Sequence, residues 1–320
     1  MANATVNIIG ENNRLIAAPV LEASGLRISF SMYSKGLARS EHTVMQSVAL
    51  KSFAGEIHAI VGSSGSGKSL LAHAILGILP ANAKMSGRIL YHGDELAPAR
   101  QEACRGHKIM LIPQSVAFLD PLMRVGRQVV GTIGSRELQR AAFRRYSLAD
   151  DVGRMYPFQL SGGMARRVLV STALMGEPDL IVADEPTPGL SEGLAEETMR
   201  WFRELADGGA SILLITHDLE LAMKHADRIT VFYAGYTVET APASDYAAGR
   251  DALRHPYTKA LIDALPQNGF KPISGTQPYA CKAPDGCPFA ERCYMRTDEC
   301  AGDVGMRELR GGEVRCVNAD

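Results

Sequence analysis

The sequence lacks a surplus of charge of either sign, since its 320 residues contain 34 Lys and Arg against 35 Asp and Glu, a net charge of −1. This balance argues against a protein held to nucleic acid by bulk positive charge, and we expect no nucleic-acid partner. It also lacks an apolar run near the roughly 18 residues that a membrane-spanning helix needs; the best stretch, 70–79, is short and contains His73. Glu11 and Arg14 lie where a secretory signal would need its apolar core, so we expect no such signal.

Cysteine is scarce over most of the chain and concentrated near its end. Five of the six cysteines lie within residues 281–320, and the sixth is Cys104. In a chain that we expect to be cytosolic, such clustering favours metal binding over disulfides. Cys104 is expected to pack as a small hydrophobic residue.

Short apolar runs alternate with helical patterns. The runs that predict strands are 26–30, 44–53, 57–61, 109–112, 180–183, 212–215 and 229–233. A helical pattern follows the third run and is predicted to end at Pro80, and a longer, Arg-rich helical pattern spans 121–172. Continuous apolar strands that alternate with helices predict an α/β fold whose parallel sheet is covered on both faces. The last run precedes Ala234-Gly235, which predicts a hairpin.

Composition divides the chain into three predicted parts. Residues 1–22 show no sustained periodicity and are predicted to form a flexible N-terminal tail. Residues 23–245 contain the alternating strands and helices, with a helical subdomain at about 115–175. Residues 246–320 are rich in Pro, Gly and Cys and are predicted to form a C-terminal extension.

The segment 62–69 fits the phosphate-binding pattern G-x-x-x-x-G-K-[ST]. Glycines permit positive φ and close backbone approach, so that N–H groups can point at phosphate oxygens. Lys68 supplies a charge for the β- and γ-phosphates, and the Ser69 hydroxyl can hold Mg²⁺. A Gly/Ser linker is the alternative, but a predicted strand precedes this segment and a predicted helix follows it. The predicted nucleotide-binding residues are Gly62, Ser63, Ser64, Gly65, Ser66, Gly67, Lys68 and Ser69.

The predicted strand 180–183 ends in two carboxylates, Asp184 and Glu185. At the carboxyl end of a parallel strand both would face the ligand crevice. Asp184 is then placed to bind Mg²⁺, and Glu185 to orient or deprotonate an attacking water. Acidic pairs also end strands without any such role, and the nearby phosphate-binding pattern is what favours the functional interpretation.

Between these two motifs, residues 160–164 read LSGGM. Here the chain resembles the ATP-binding subunits of ABC transporters, whose signature loop reads LSGGQ or LSGGM. Gln114 follows the strand 109–112 as the family's Q-loop glutamine does, and His217 matches the histidine after the last core strand. The motifs occur in the family's order.

The resemblance implies a P-loop NTPase of the ABC cassette type, with a parallel-sheet core, an antiparallel β subdomain and an inserted helical subdomain. It implies ATP hydrolysis by a head-to-tail dimer with the same or a paralogous chain. Each ATP would lie between one P-loop and the partner's signature loop, to which Ser161, Gly162 and Gly163 correspond.

The resemblance also implies roles for individual side chains. Glu185, His217 and Gln114 correspond to the catalytic positions, and His217 would contact the γ-phosphate. Mg²⁺ would be held by Ser69, Gln114 and Asp184. Tyr33 is a candidate for stacking on the adenine, for which a plain loop tyrosine is the alternative. A core histidine is the corresponding alternative for His217. Where the family usually has a D-loop Asp, this chain has Ser191, which would make the two ATP sites unequal if the partner subunit is a different chain.

The C-terminal extension resembles one branch of this family. Segments 255–258 and 286–293 resemble the C-terminal region of oligopeptide, dipeptide and nickel importer ATPases. Some members of this branch bind a [4Fe–4S] cluster through four cysteines, and the residues that match are Cys287, Cys293, Cys300 and Cys316. Four thiolates suit iron–sulfur or Zn²⁺ equally well, so the chemistry alone leaves both open. The resemblance favours the cluster over zinc or simple thiols, and Cys281 is expected to be a bystander.

The sequence therefore predicts an ATP-hydrolysing subunit that powers a membrane importer for peptides, nickel or metal–chelate complexes. Its predicted partners are a second ATPase subunit, two membrane permease subunits and an extracytoplasmic substrate-binding protein. We expect it on the cytoplasmic face of the cell membrane, docked through the Gln114 region and the helical segment that follows. One alternative is a soluble ABC ATPase acting on ribosomes or DNA. Another is that the cysteine tail is a redox or iron sensor that gates the pump.

Overall fold

The computed structural model describes residues 18–33, 39–63, 65–283 and 286–320. Most of the predicted N-terminal tail and the predicted phosphate-binding residue Ser64 lie outside these ranges. The first strand begins at Leu21, two positions before the predicted start of the middle part. The boundaries of the three predicted parts stay predictions.

One mixed sheet organises the described residues. Its strands are β1 (Leu21–Tyr33), β2 (Arg39–Ser52), β3 (Ile57–Gly62), β4 (Ala83–Tyr91), β5 (Asp94–Glu95), β6 (Ile109–Ile112), β7 (Leu180–Asp184), β8 (Ser211–Thr216), β9 (Arg228–Tyr233), β10 (Tyr236–Pro242), β11 (Arg307–Leu309) and β12 (Gly312–Val314). The strand order is β5-β4-β1-β2-β10-β9-β3-β8-β7-β6. Strands β9, β3, β8, β7 and β6 are parallel, whereas β1, β2, β4 and β5 pair antiparallel. All seven predicted strands are confirmed, and β9 and β10 form the predicted hairpin.

Helices cover the sheet and fill the region after β6. They are α1 (Lys68–Leu76), α2 (Pro98–Cys104), α3 (Val125–Val130), α4 (Arg136–Arg145), α5 (Gly162–Thr172), α6 (Glu192–Asp207), α7 (Leu219–His225), α8 (Ala243–Ala248) and α9 (Pro256–Asp263). The predicted Arg-rich helical stretch is therefore three separate helices, α3 to α5, with short 3-10 turns between α4 and α5. No helix in the described part is both long enough and apolar enough to span a membrane.

The central strands are buried on both faces, as the continuous apolar runs predict. Every residue of β7 and β8 is buried. Successive side chains on a strand point to opposite faces, and they enter different hydrophobic clusters: Ile181 and Ala183 lie in one, Leu180 and Val182 in the other. The parallel sheet covered on both faces is confirmed.

Helix α1 ends earlier than predicted. Gly77 follows its last residue with a left-handed φ of 66°, and Ile78 N donates to His73 O, which closes the helix. Gln101 of α2 donates to the carbonyl of Ala74 at 2.7 Å, which gives this carbonyl of the last turn a second, shorter hydrogen bond beside the one from the N–H of Gly77 at 3.3 Å. The prediction that Pro80 ends the helix is wrong, because the glycine reverses the chain first.

The region that follows α8 packs against the sheet. Strand β12 pairs antiparallel with β10, placing Val314 opposite Glu239. The side chain of Arg254 is 1% exposed and lies 3.3 Å from the equally buried carboxylate of Glu239. Arg254 also donates to the carbonyls of Leu309 and Arg310. The C-terminal residues therefore contribute directly to the core around β10.

Candidate nucleotide site

The predicted phosphate-binding segment joins the central strand β3 to α1, at the carboxyl end of the parallel sheet. Gly65 and Gly67 have φ values of 78° and 95°, in the region that only glycine adopts readily. At Gly62 an added Cβ would lie 2.6 Å from the carbonyl oxygen of Phe232 on the neighbouring strand β9. The glycines are therefore required by the turn and by its close packing against the sheet.

A cavity of about 400 Å³ lies over this segment. Its lining includes Gly65, Gly67, Lys68, Ser69, Gln114 and Glu185, together with Val44 from β2. The structure thus brings the phosphate-binding segment together with two of the three predicted catalytic residues. Val44 was not singled out from the sequence, since an apolar residue on an alternating strand carries no distinctive signal.

Lys68 is held against the loop that precedes it. Its Nζ donates to the carbonyl oxygen of Gly62 at 2.8 Å and to that of Ser63 at 3.0 Å. Burial lowers the pKa of Lys68, while the nearby carboxylates of Glu185 and Asp184 act in the opposite direction. The ammonium therefore faces the acidic end of β7 across the cavity.

The three predicted Mg²⁺ ligands share one small space. A second cavity of about 110 Å³ has Ser69, Gln114 and Asp184 in its lining. Burial raises the pKa of Asp184, the Ser69 hydroxyl lowers it, and the charge of Glu185 raises it further. Within the described residues, Asp184 Oδ1 is buried without a hydrogen-bond partner. An orphaned carboxylate oxygen beside a hydroxyl and an amide is a donor set that suits Mg²⁺.

Glu185 and His217 meet because β7 and β8 are adjacent parallel strands, and the residues that follow them emerge at the same edge. The Nδ1 of His217 lies 2.8 Å from Glu185 Oε1. The Glu185 side chain is 7% exposed and that of His217 is 61% exposed, so the pair runs from the buried site to the surface. Glu185 has a φ of 50°, a strained conformation for a residue other than glycine and one that is frequent at functional sites.

Arg166 also belongs to this environment, and the sequence analysis missed its role. It is 8% exposed, lies on α5, and donates to the carbonyl oxygen of Pro113 at 3.0 Å. Burial lowers its pKa, and the charges of Glu185 and Asp184 oppose that shift. Its position two residues after LSGGM was the available signal, but the Arg-rich stretch around it hid which arginine turns inward.

The signature residues lie apart from the cavity. Ser161 caps α5, and its Oγ accepts a hydrogen bond from the backbone N–H of Met164 at 3.3 Å. Ser161 and Gly162 are exposed, and Gly163 is half-buried. None of the three lines the 400 Å³ cavity. A hydroxyl and two unhindered N–H groups at a helix start are therefore presented to the surface.

Tyr33 is likewise outside the cavity lining. It lies at the end of β1, is 67% exposed, and pairs across strands with Arg39, whose guanidinium carbon lies 5.5 Å from the tyrosine ring centroid. Val44, which does line the cavity, is five residues further along β2 than Arg39, about 17 Å at strand spacing. The predicted stacking of Tyr33 on adenine stays a prediction.

The four C-terminal cysteines of the predicted cluster share one region. Cys287, Cys300 and Cys316 are buried, and Cys293 is half-buried. Burial, and then the neighbouring thiols of the other three, raise the pKa of Cys287 to about 11. Among the described residues, however, no group of three or more His, Cys, Asp or Glu side chains is arranged to hold a metal ion.

The two remaining cysteines differ in their surroundings. Cys104 is half-buried and packs against the hydrophobic cluster that contains Leu76, as predicted for a small hydrophobic residue. Cys281 is exposed.

Comparison with known proteins identifies the family to which this chain belongs. Residues 45–188 match the ABC transporter family model, and residues 238–300 match the model of the oligopeptide/dipeptide transporter C-terminal region. The chain is 34% identical to the dipeptide transport ATP-binding protein DppD of Bacillus subtilis, over 88% of each chain. It is 31% identical to the probable D,D-dipeptide transport ATP-binding protein DdpD of Escherichia coli, over 93% of this chain and 96% of the relative.

A solved structure with a similar fold is the dimeric, post-hydrolysis state of the ATP-binding cassette MJ0796 bound to ADP and Pi. The TM-score is 0.61 at 23% identity, over 70% of this chain and 98% of the cassette. Family models, relatives and fold agree: the chain belongs to the ABC transporter ATP-binding subunits of the oligopeptide/dipeptide type, and it is an ATPase.

Proposed function

We propose that this ATPase energises the import of peptides across a membrane. The observation that carries the proposal is the match of residues 238–300 to the oligopeptide/dipeptide C-terminal region, beside relatives named for dipeptide and D,D-dipeptide transport. Of the cargoes that the sequence predicts, these comparisons support peptides and give no support to nickel or metal chelates. The same relatives disfavour the alternative of an ATPase acting on ribosomes or DNA. Peptide uptake by cells that carry or lack this gene, with the permease genes intact, tests the proposal.

The nucleotide would be bound by the P-loop amides and by Lys68, whose ammonium lies beside the cavity. Ser69, Gln114 and Asp184 would hold Mg²⁺, which neutralises phosphate charge when it is bound. Glu185 would orient the attacking water or take its proton, since its carboxylate lines the cavity. His217 would hold that carboxylate in place from the surface side, 2.8 Å away.

We also infer that each complete ATP site needs two chains. Ser161, Gly162 and Gly163 lie outside the cavity and face the surface, where they could close on the γ-phosphate of a partner's nucleotide. The isolated chain would then be a weak ATPase whose specific activity rises with its concentration. Ser191 lies at the start of α6 and is exposed, so a partner that has a carboxylate there would make the two sites unequal.

The division into subdomains is part of the same proposal. Strands β1, β2, β4 and β5 would form the antiparallel β subdomain, and the residues from about 115 to 175 the helical subdomain. Residues 246–320 would be an extension that is specific to this branch of the family.

An apolar patch after Gln114 offers a surface for the membrane subunits. Val116, Phe118 and Leu122, which lie within seven residues of one another, are 42%, 54% and 87% exposed. Large apolar side chains that are exposed near one another commonly mark an interaction surface. A permease pair that docks there would place this chain peripherally on the cytoplasmic face, with a substrate-binding protein on the opposite side.

Leu122→Asp is expected to abolish co-purification with co-expressed permease subunits, because a carboxylate would have to be desolvated in an apolar contact. The basal ATPase rate of the isolated chain should not change. Met85→Asp is the matched control, since Met85 is 45% exposed on the antiparallel strand β4. Undiminished co-purification of the Leu122 variant would remove this patch from the interface.

For the cysteines we propose the [4Fe–4S] cluster rather than zinc. The support is the shared region of four thiols, three of them buried; the side chains as they lie are not arranged to hold a metal, so they would have to move. Anaerobically purified chain should contain iron and sulfide in the proportion of such a cluster. Cys293→Ser should lose both, whereas Cys281→Ser, at an exposed position, should keep both. A colourless protein that contains zinc or no metal would disprove the cluster.

A further inference from the structure

A segment of the C-terminal region, residues 273–282, reaches the P-loop; we call it the crossing segment. Gln277 accepts a hydrogen bond from the Ser63 hydroxyl, with 2.6 Å between Oε1 and Oγ. Further along, the carbonyl oxygen of Ala280 accepts a hydrogen bond from Gln46 Nε2 at 2.7 Å. The crossing segment is thus fixed to β2 and to the first turn of the P-loop, more than 200 residues away in sequence.

Arg292 anchors the other end of the crossing segment. Its Nε donates to the carbonyl oxygen of Ser274 at 2.7 Å, and its Nη2 donates to those of Ile273 and Gly275, both at 3.1 Å. Its Nη1 donates to the hydroxyl of Tyr233 at 3.0 Å. A planar guanidinium that uses all three nitrogens in this way fixes the direction in which the backbone leaves it.

Ser63 is therefore held from two sides. Gln277 binds its hydroxyl, while Lys68 Nζ donates to its carbonyl oxygen at 3.0 Å. Phosphate binding by a P-loop depends on N–H groups that already point inward, because ordering them on binding costs affinity.

We propose that Gln277 is a positioning residue of the nucleotide site, which fixes the first turn of the P-loop through Ser63. Arg292 supports it by holding the crossing segment. This inference rests on the proposed nucleotide site. Neither side chain lines the cavity, so the effect acts on the order of the loop and not on the phosphates themselves.

The test compares Gln277→Ala with Thr276→Ala in the full chain, because Thr276 is an exposed polar residue of the same segment. Calorimetry gives the Kd for Mg-ATP, and steady-state assays give KM and kcat. We expect Gln277→Ala to raise Kd and KM by about two- to tenfold, the range for one neutral hydrogen bond, with kcat within about twofold. Thr276→Ala should match the wild type.

A double-mutant cycle ties the effect to the contact. Ser63→Ala with Gln277→Ala should bind Mg-ATP no more weakly than Ser63→Ala alone, because both changes remove the same bond. Arg292→Ala should also raise the Kd for Mg-ATP. If thermal unfolding shows that this variant does not fold, the comparison of Gln277→Ala with Thr276→Ala tests the positioning role without it. Equal Kd values for the Gln277 and Thr276 variants, or additive effects in the cycle, would overturn the positioning role. A wild-type chain that does not bind Mg-ATP would overturn the nucleotide site, and this inference with it.

Discussion

Glu185→Gln is expected to lower ATP turnover by about 10²- to 10⁴-fold, the usual contribution of a general base, while ATP binding is retained. The amide keeps nearly the same shape and can still face His217, which lies 2.8 Å from the carboxylate. It cannot take a proton from water. Glu185 lines the cavity, so the loss of its negative charge removes repulsion of the phosphates and should leave the affinity for anionic ATP equal or higher.

The measurement is single-turnover hydrolysis together with the Kd for Mg-ATP. Glu102→Gln is the matched control, because it makes the same chemical change at an exposed position on α2. Turnover by the Glu185 variant at the wild-type rate would remove this carboxylate from the mechanism.

Lys68→Ala is expected to weaken ATP binding at least about tenfold. Charge-assisted hydrogen bonds to phosphate are worth roughly 1.5–3 kcal/mol, and each 1.4 kcal/mol is tenfold in Kd. The variant also loses the two hydrogen bonds from Nζ to the carbonyls of Gly62 and Ser63, so the loop should lose order as well as charge.

Nucleotide titration monitored by calorimetry checks this expectation. Lys84→Ala, which removes a lysine whose side chain is 65% exposed on β4, should bind ATP as the wild type does. Lys68→Arg keeps the charge but has a planar fork in place of a compact ammonium, so it should restore binding only in part. An unchanged Kd in Lys68→Ala would place the phosphates elsewhere.

The parts of the molecule that sequence alone could predict are those with a local signal. Every residue of β7 and β8 is buried, and the continuous apolar runs within them, 180–183 and 212–215, can be recognised directly in the sequence. The signal for the phosphate-binding loop is also local, because its glycines and Lys68 all lie within residues 62–68. The proximity of Glu185 and His217 can be inferred once β7 and β8 are predicted to be adjacent parallel strands.

Features that depend on distant partners could not be predicted in this way. No sequence pattern marks Gln277, and its contact with Ser63 exists only because the crossing segment returns to the P-loop. The end of α1 at Gly77 depends on a left-handed turn that competes with Pro80 three residues later. Among many arginines, only packing decides that Arg166 turns inward beside Asp184 and Glu185.

The buried pair of Arg254 and Glu239 has a consequence for synthesis on the ribosome. The guanidinium gains the carbonyl acceptors of Leu309 and Arg310 only when these residues have emerged, about seventy residues after Glu239. Until then the partners of the guanidinium come from earlier in the chain, above all the carboxylates of Glu239 and Asp245. A nascent chain therefore completes the environment of β10 late, so premature termination before β11 would leave an otherwise finished cassette open at this edge.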